Sequence, residues 1–173
     1  MTAARYQFEP LDRHHDRAAF SCGVPELDRY LQRQARQDVQ RHVAAVFVLL
    51  DGEEGKIAGY YTLSATVIGL SDLLDDLARR LPRYPDLPAV LLGRLAVDSH
   101  YQGQRLGEVL LMDALTRALT QSQQIAALAV IVDAKNEAAV GFYQRYGFQQ
   151  LVGQPRRLFF PMQTIAALQT SPE

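Results

Sequence analysis

The sequence predicts an α/β fold with a mixed, mostly antiparallel sheet and helices on both faces. Three observations predict it. Two apolar runs, residues 43–50 and 56–65, flank the turn-forming residues 51–55 and predict a hairpin. Residues 105–122 have a broad apolar arc at helical spacing, which a sheet must cover. Residues 125–132 are almost purely apolar, as expected for a strand that helices cover on both faces. This alternation of strands and helices is typical of the class.

The first helix is predicted to start near Pro25, which suits a first helical turn. Apolar residues follow it at helical spacing: Leu27, Tyr30, Leu31 and Ala35. A second helix is predicted at Ser71, a capping residue that is followed by Asp72. Its apolar positions are Leu73, Leu74, Leu77 and Leu81. We expect three prolines to end this helix and form an ordered loop: Pro82, Pro85 and Pro88.

The remaining elements follow closely along the chain. Residues 89–97 are predicted to form a strand that leads through a polar loop into the long helix at residues 105–122. Residues 136–146 are predicted to form a helix, because Gly147 suits its left-handed cap. Residues 148–152 and 157–162 are predicted to form a terminal hairpin. A chain of 173 residues with these elements is expected to be a single domain, residues 1–173.

Composition limits the compartment and the partners. The formal net charge is −1, so a nucleic-acid surface would have to come from clustered arginines. Cys22 is the only cysteine, so no internal disulfide can form, which fits a reducing compartment. No segment resembles a signal peptide or a membrane span, so we expect a cytoplasmic protein with no membrane partner. His14 and His15 lack a second ligand pair at a suitable spacing, so we expect no metal.

The polar loop before the long helix contains Gly103 and Gly107. A strand, a glycine-bearing loop and a helix start direct free backbone N–H groups and the positive end of a helix dipole at one point, where a pyrophosphate can bind. The segment lacks the Gly-Lys-Ser/Thr of a Walker loop and the three-glycine dinucleotide fingerprint. Two glycines alone do not distinguish an anion site from an ordinary tight connection.

A second motif favours the anion site. Asn136 stands at the start of the predicted helix, which ends in the pattern Phe142-Tyr143-x-x-x-Gly147-Phe148. Together with the preceding strand, loop and helix, this motif resembles the GNAT superfamily of acetyltransferases, and the resemblance covers the whole order of elements. It implies the GNAT acyl-CoA N-acyltransferase fold and an acetyl-CoA-dependent N-acetyltransferase that acts on a primary amine.

The resemblance also implies the residues of the site. It places the backbone of Leu95, Ala96 and Val97 against acetyl-CoA. It places Asn136 and Tyr143 near the pantetheine arm and the thioester. It assigns the cofactor's pyrophosphate to a loop that comprises Gln102, Gly103, Gln104, Arg105, Leu106 and Gly107.

Arg105 departs from the family pattern, which usually has a glycine at this position. A non-glycine residue with positive φ is strained. We therefore expect right-handed helical geometry at Arg105, with its charge near the phosphates of the cofactor.

The implied reaction is direct attack of a neutral amine on the thioester carbon. The amide of Ala96 is expected to polarise the thioester carbonyl, and Tyr143 to protonate the leaving thiolate. The other interpretation of Tyr143 is an aromatic core residue. Glu137 and Asp133 are candidates for a general base only because they are near. An α-amino group has a pKa of roughly 7.7–8.0 and is partly neutral without a base, which favours an α-amine acceptor over lysine.

Three further segments, residues 20–31, 59–64 and 81–85, resemble one branch of the superfamily. That branch contains the toxins of toxin and antitoxin modules. The resemblance implies a toxin that acetylates the α-amino group of aminoacyl-tRNA, blocks translation and is held inactive by a small ribbon-helix-helix antitoxin. It leaves open whether the chain forms a homodimer.

A tRNA substrate requires arginines, because phosphate contacts supply most of the affinity for RNA. Three clusters are present, and each could instead be a solvated face. They are Arg29, Arg33 and Arg36; Arg79, Arg80 and Arg83; and Arg156 and Arg157. Two other functions stay open. The chain could acetylate a small-molecule amine or a protein N-terminus, or it could be a non-catalytic CoA-binding partner of a DNA-binding regulator, against which Tyr143 argues.

Overall fold

The computed structural model describes residues 5–73, 75–81 and 83–170. Within these residues the α-helices are α1 (Pro25–Arg29), α2 (Ala35–Gln40), α3 (Asp75–Ala78), α4 (Leu106–Ser122), α5 (Glu137–Arg145) and α6 (Met162–Thr170). The strands are β1 (Tyr6–Pro10), β2 (Ala45–Asp51), β3 (Lys56–Gly69), β4 (Asp86–Val97), β5 (Ala129–Asp133), β6 (Gln149–Leu151) and β7 (Gln154–Pro161). A π-helical turn, Tyr30–Gln34, connects α1 to α2.

The strands form one sheet in the order β1-β2-β3-β4-β5-β7-β6. The pairs β1–β2, β2–β3, β5–β7 and β6–β7 are antiparallel, and β4–β5 is parallel. The predicted α/β class with a mixed, mostly antiparallel sheet is confirmed. The chain divides into two compact units: the first comprises Met1–Ser64 and Gly93–Ala114, and the second comprises Ala65–Leu92 and Leu115–Glu173.

The first unit is built on the strand pairs β1–β2 and β2–β3. Their registers run from Tyr6 opposite Asp51 and from Ala45 opposite Leu63. Pro25 begins α1 as predicted, because its ring suits the first helical turn. The helical segment packs its apolar side on this sheet in a core that includes Leu31, Val48, Tyr60 and Ala96. The predicted amphipathic helix and hairpin are therefore confirmed, with the strands ending one to four residues from the predicted bounds.

The second unit is built around β5. Val130–Val132 lie opposite Phe160–Leu158 of β7, and Val90–Leu92 of β4 pair with them in parallel. Residues 129–132 are buried, as predicted for the apolar strand. Ile131 and Phe159 belong to the core of this unit, with Ile68, Leu73, Leu87, Ala89, Ala129 and Leu151.

The predicted helix at residues 71–81 is wrong in length. The chain instead forms a three-residue 3-10 helix, Leu70–Asp72, and the four-residue α3. Leu73 between them is extended and 2% exposed, so burial of its side chain in the core overrides the local helical preference. The predicted positions Leu74 and Pro82 lie outside the described residues.

The strand bounds around the prolines also differ from the prediction. Pro88 lies inside β4, which begins at Asp86 instead of in a loop. An exposed proline is tolerated there because it needs only to accept a hydrogen bond, and its carbonyl accepts from the Leu128 amide at 2.9 Å. The strand predicted from Ile125 begins only at Ala129. Ile125 is 82% exposed, because its amide closes the end of the preceding helix on Gln121.

The C-terminal helix α6 has no counterpart among the predicted elements. Its residue Ile165 is 2% exposed, and the Met162 amide donates to the Leu128 carbonyl at 2.8 Å. The apolar spacing of Met162, Ile165 and Ala166 is the signal that could have predicted it. No helix in the described part of the chain is long and apolar enough to cross a membrane.

Gly147 ends α5 with φ +106°, so the predicted left-handed residue after this helix is confirmed. A Cβ at this position would lie 2.9 Å from a ring carbon of Phe160, which is itself 1% exposed and cannot move away.

Gly147→Ala is expected to lower the free energy of unfolding by about 2 kcal/mol, because it combines an unfavourable φ with a steric clash. Gly141→Ala within α5 is the matched control. A Cβ at Gly141 meets nothing within 4 Å, so alanine is expected to raise the free energy of unfolding by about 0.5–1 kcal/mol. Urea denaturation followed by circular dichroism measures both, and effects of the same sign would contradict this account.

Candidate functional site

The end of β4 is held close to β3. A Cβ added to Gly59 would lie 2.8 Å from the Ala96 carbonyl oxygen, so β3 can approach the strand end only with glycine at this position. Just past the strand, the Asp98 amide donates to the Ala58 carbonyl at 2.8 Å. Ala96 is buried, and its neighbours Leu95 and Val97 are half-buried. The backbone at the strand end is therefore fixed from one side.

The loop after β4 starts with a buried carboxylate. Asp98 is 4% exposed, and its oxygens accept from the amides of His100 at 2.9 Å and Ser21 at 3.0 Å. The Ser99 amide donates in turn to the Ser21 carbonyl at 2.8 Å. These bonds cap the short 3-10 helix Ser99–Tyr101 and tie it to the segment that precedes α1.

Tyr101 connects the loop to a second buried carboxylate. Its hydroxyl donates to Asp51 at 2.5 Å, and Asp51 has no exposed surface. Arg5 donates to both oxygens of Asp51 at 3.0 Å, and the Glu53 amide donates at 3.0 Å. The hydrogen bonds from Arg5 hold the pKa of Asp51 well below its usual range, while burial raises the pKa of Tyr101. At neutral pH the carboxyl is therefore ionised and the phenol is protonated.

The middle of the loop is exposed, and its side chains are anchored at two points. Tyr6 on β1 donates its hydroxyl hydrogen bond to Gln104 at 2.9 Å, and Gln102 donates to the Cys22 carbonyl at 3.3 Å. Residues 102–105 are exposed, whereas Leu106 is buried at 5%. The loop thus presents its backbone to solvent between fixed ends.

The backbone at Arg105 contradicts the prediction of right-handed geometry. Its φ is +59°, and Gly103 has φ +85°. The loop therefore requires the left-handed conformation at the position where the family pattern has glycine, and arginine adopts it here at a cost of about 1–2 kcal/mol. A non-glycine residue disfavours positive φ, but the contacts that fix both ends of the loop override this preference at Arg105.

The helix α4 starts directly after Arg105, whose carbonyl accepts from the Val109 amide at 3.3 Å. The amides of the first helical turn, Leu106 and Gly107 among them, have no acceptor within the helix. With the helix dipole, these amides favour an anion at this end of α4. The predicted loop residues Gln102 to Gly107 therefore form one continuous segment that is exposed at residues 102–105 and buried at Leu106, and anion binding there stays a prediction.

The other two predicted site residues belong to α5 in the second unit. Asn136 is the N-cap of α5, and its side-chain oxygen accepts from the Ala139 amide at 2.9 Å. Its carboxamide NH₂ group keeps both hydrogens available for donation. Asn136 thus has the local structural role that its sequence position predicted.

Tyr143 on α5 combines a packed ring with an accessible hydroxyl. Its ring lies 5.2 Å from Phe142 and 5.3 Å from Phe148, both edge to face. The residue is 9% exposed, and burial raises the pKa of its phenol to about 12. In the described part of the chain every buried side-chain oxygen and nitrogen has a partner, and no protein group bonds this hydroxyl, so it reaches solvent. The ring therefore packs as the core interpretation of Tyr143 describes, and the proton-donor role of its hydroxyl stays a prediction.

The two carboxylates considered as general bases form ion pairs. Glu137 lies 3.9 Å from Arg156, and its side chain is 82% exposed. Asp133 lies 3.6 Å from Arg157 and is 57% exposed. Both candidates are therefore solvent-exposed, ion-paired carboxylates.

Near the N-terminus the fold brings Glu9, His14 and His15 together, with one ligand atom of each within 4.8 Å of the others. No sequence pattern grouped Glu9 with the two histidines. His15 accepts the Asp12 amide on Nδ1 at 2.9 Å, so its proton is on Nε2, which faces Glu9 at 3.0 Å. This tautomer leaves His15 no lone pair for a metal ion. The absence of a metal stays a prediction.

The family described as "Acetyltransferase (GNAT) family" matches residues 11–148. A Sinorhizobium fredii (strain NBRC 101917 / NGR234) protein named "Probable toxin TacT" is 32% identical over 174 residues, which cover 96% of this chain and 96% of that protein. A Mycobacterium tuberculosis (strain ATCC 25618 / H37Rv) protein named "tRNA-acetylating toxin" is 32% identical over 153 residues, which cover 88% of this chain and 90% of that protein.

Solved structures are similar over nearly the whole chain. The structure of AtaT complexed with acetyl-methionyl-tRNAfMet has a TM-score of 0.89 and 30% identity and covers 95% of this chain and 99% of that chain. A tyrosine-to-phenylalanine mutant of AtaT bound to the C-terminus of the antitoxin AtaR and acetyl-CoA has a TM-score of 0.83 and 28% identity and covers 97% of this chain and 100% of that chain.

Proposed function

This chain belongs to the GNAT family of acetyltransferases, and we propose that it transfers acetyl from acetyl-CoA to the α-amino group of aminoacyl-tRNA. The observation that carries the proposal is the exposed, partly left-handed loop at residues 102–105 directly before α4, in a chain whose relatives along nearly its full length include a tRNA-acetylating toxin. The loop supports acetyl-CoA as the acetyl donor, and the relatives support aminoacyl-tRNA as the acceptor.

The pyrophosphate of acetyl-CoA binds the amides of Gln102, Gly103, Gln104, Arg105, Leu106 and Gly107. The left-handed backbone at Gly103 and Arg105 is of the kind found in anion-binding concavities built from backbone N–H groups. The exposed guanidinium of Arg105 adds a positive charge beside them.

The acetyl end of the cofactor binds the backbone of Leu95, Ala96 and Val97. The described parallel register between β4 and β5 covers Val90–Leu92, and β4 continues past it to Val97. Backbone groups past that register are suited to bonding an extended ligand. The Ala96 amide polarises the thioester carbonyl as the developing oxyanion forms.

The amine nitrogen forms the new bond to the acetyl carbon, the carbon–sulfur bond breaks, and Tyr143 donates its proton to the leaving thiolate. The attacking nitrogen loses one proton to water, and the phenol regains its proton from solvent. The raised pKa of Tyr143, about 12, keeps the phenol protonated at neutral pH, and no group of the described residues bonds its accessible hydroxyl. Asn136 uses its free NH₂ group to bond the pantetheine arm. No carboxylate is assigned as a base, because an α-amino group with a pKa of roughly 8 is partly neutral at cellular pH.

The acceptor tRNA contacts exposed arginines on both units. Arg29 and Arg33 on the first helical segment are exposed, as are Arg79, Arg80 and Arg83. The predicted pair Arg156 and Arg157 contributes less, because Glu137 and Asp133 lie against their guanidinium groups. These contacts are electrostatic and therefore weaken as salt rises.

The remaining parts of the proposal concern the setting of the activity. The chain is one acetyltransferase domain over residues 1–173, a proposal supported by the family match at residues 11–148. The protein acts in the cytoplasm, where charged tRNA is found, as a translation-blocking toxin. Its inhibitor is an antitoxin of the ribbon-helix-helix class.

The purified protein is expected to transfer radiolabelled acetyl from acetyl-CoA to the α-amino group of aminoacyl-tRNA. Acid precipitation collects the labelled tRNA, and alkaline deacylation then releases the label as acetyl-aminoacyl product. The amount of released label measures the transfer. Free amino acids, small amines and peptides with free N-termini are the comparison substrates. If only the comparison substrates become labelled, the acceptor is one of those amines and not tRNA. If no substrate is labelled although the protein binds coenzyme A, the protein is the non-catalytic CoA-binding partner.

Tyr143→Phe is expected to lower kcat by about 10²–10⁴ while the KM for acetyl-CoA stays within about twofold, because the ring packing survives and only the proton donor is lost. Tyr146→Phe is the control, since Tyr146 lies at the end of the same helix and is half-buried. Steady-state kinetics measures both variants. Near-normal turnover of Tyr143→Phe would remove the general-acid role.

Arg105→Gly is expected to raise the KM for acetyl-CoA about threefold at low salt, because a charge near the phosphates is lost. Its free energy of unfolding should not fall, since glycine adopts positive φ freely. Arg105→Lys keeps the charge and a side chain at the same φ, and its KM should match that of the unmodified protein. An unchanged KM for the glycine variant would eliminate the charge contribution.

A further inference from the structure

The loop before α4 keeps a conformation that its own sequence does not favour. Arg105 at φ +59° is a non-glycine residue in the left-handed region. Such strain persists only where the surrounding structure determines the backbone from several sides. The bonds that hold the loop are therefore part of whatever the loop does.

Two side-chain bonds from the first two strands hold this loop. The Tyr101 hydroxyl donates to Asp51 at the end of β2, and Tyr6 on β1 donates to Gln104. The two loop residues that make these bonds, Tyr101 and Gln104, flank the exposed residues Gln102 and Gly103. Both anchors therefore act on the segment immediately before Arg105.

Asp51 is suited to be the fixed point. It has no exposed surface, and Arg5, Tyr101 and the Glu53 amide supply its hydrogen bonds. A carboxylate with this many donors has one geometry, because any rotation would break a charge-assisted bond. The guanidinium of Arg5 also offsets the negative charge, which would otherwise oppose an anion bound in the same unit.

We propose that Arg5, Asp51 and Tyr101 form a loop clamp that positions the amides of residues 102–107 for the pyrophosphate of acetyl-CoA without contacting the cofactor. This inference rests on the proposed function. The clamp residues are positioning residues: they hold Arg105 in the left-handed conformation and do not take part in acetyl transfer.

Tyr101→Phe removes only the hydroxyl that bonds Asp51. Its matched control is Tyr30→Phe. Tyr30 is 7% exposed and Tyr101 is 6% exposed, and the Tyr30 hydroxyl also donates to an aspartate, Asp38, at 2.8 Å. The two variants therefore lose the same kind of bond in the same unit, but only one of them loses a bond to the loop.

Isothermal titration calorimetry with acetyl-CoA is expected to give a Kd about tenfold higher for Tyr101→Phe and an unchanged Kd for Tyr30→Phe, while both lower the thermal midpoint. At saturating acetyl-CoA the kcat of Tyr101→Phe should stay within about twofold of the unmodified protein, since the reacting groups are intact. If Tyr101→Phe does not fold, Tyr6→Phe tests the second anchor, with an expected rise in Kd of about threefold.

A double variant separates positioning from general stability. Glycine at position 105 adopts positive φ without the clamp, so Tyr101→Phe should raise the Kd by about threefold or less in an Arg105→Gly background. A tenfold rise in both backgrounds would show independent effects and overturn the clamp.

The outcomes distinguish the clamp from the function on which it rests. If the unmodified protein binds acetyl-CoA and Tyr101→Phe binds it equally well, the clamp is wrong and the proposed function stands. If Tyr30→Phe weakens binding as much as Tyr101→Phe, the effect is one of overall stability and the clamp is again wrong. If the unmodified protein does not bind acetyl-CoA, both proposals fail.

Discussion

The left-handed backbone at Arg105 is the constraint on which the conformation of the loop before α4, and with it the proposed anion site, depends. An arginine in this conformation is unfavourable by itself, and it is kept because both ends of its loop are fixed. Asp98 caps the first turn, Leu106 is buried at the start of α4, and Tyr101 reaches Asp51. Without these contacts the amides of residues 102–107 would lack a common direction, and the positive end of α4 would be an ordinary helix start.

Buried carboxylates limit the number of side-chain arrangements that the first unit can adopt. Asp51 and Asp98 are both almost fully buried, and each accepts hydrogen bonds from a residue distant in sequence: Asp51 from Arg5 and Tyr101, and Asp98 from Ser21. A buried carboxylate with all its donors in place tolerates few alternative arrangements, since each alternative leaves a charge without a partner. A loop bound to two such groups is rigid although its middle is exposed.

On α5, the side chain of Tyr143 combines a packed ring with an accessible hydroxyl. Aromatic contacts to Phe142 and Phe148 hold the ring of Tyr143, while its hydroxyl stays accessible.

Several features were predictable because each has a local pattern of residues: the family, the mixed sheet, the helix caps at Asn136 and Gly147 and the loop segment. The short helix near Leu73, the strand around Pro88 and the sign of φ at Arg105 were not, because tertiary packing or distant hydrogen bonds overrule the local preference at each of these positions.

The sequence by itself determined most of the order of elements, the position of the polar loop before α4 and the position of Tyr143 on α5, because spacing and turn chemistry act over a few neighbouring residues. Only the tertiary structure decided that Arg5, Asp51 and Tyr101 meet, that Glu9 lies beside His15, and that Arg156 and Arg157 face carboxylates. These pairs are far apart along the chain or depend on side-chain direction. Strand register and burial set such contacts, and a single sequence carries no local signal for them.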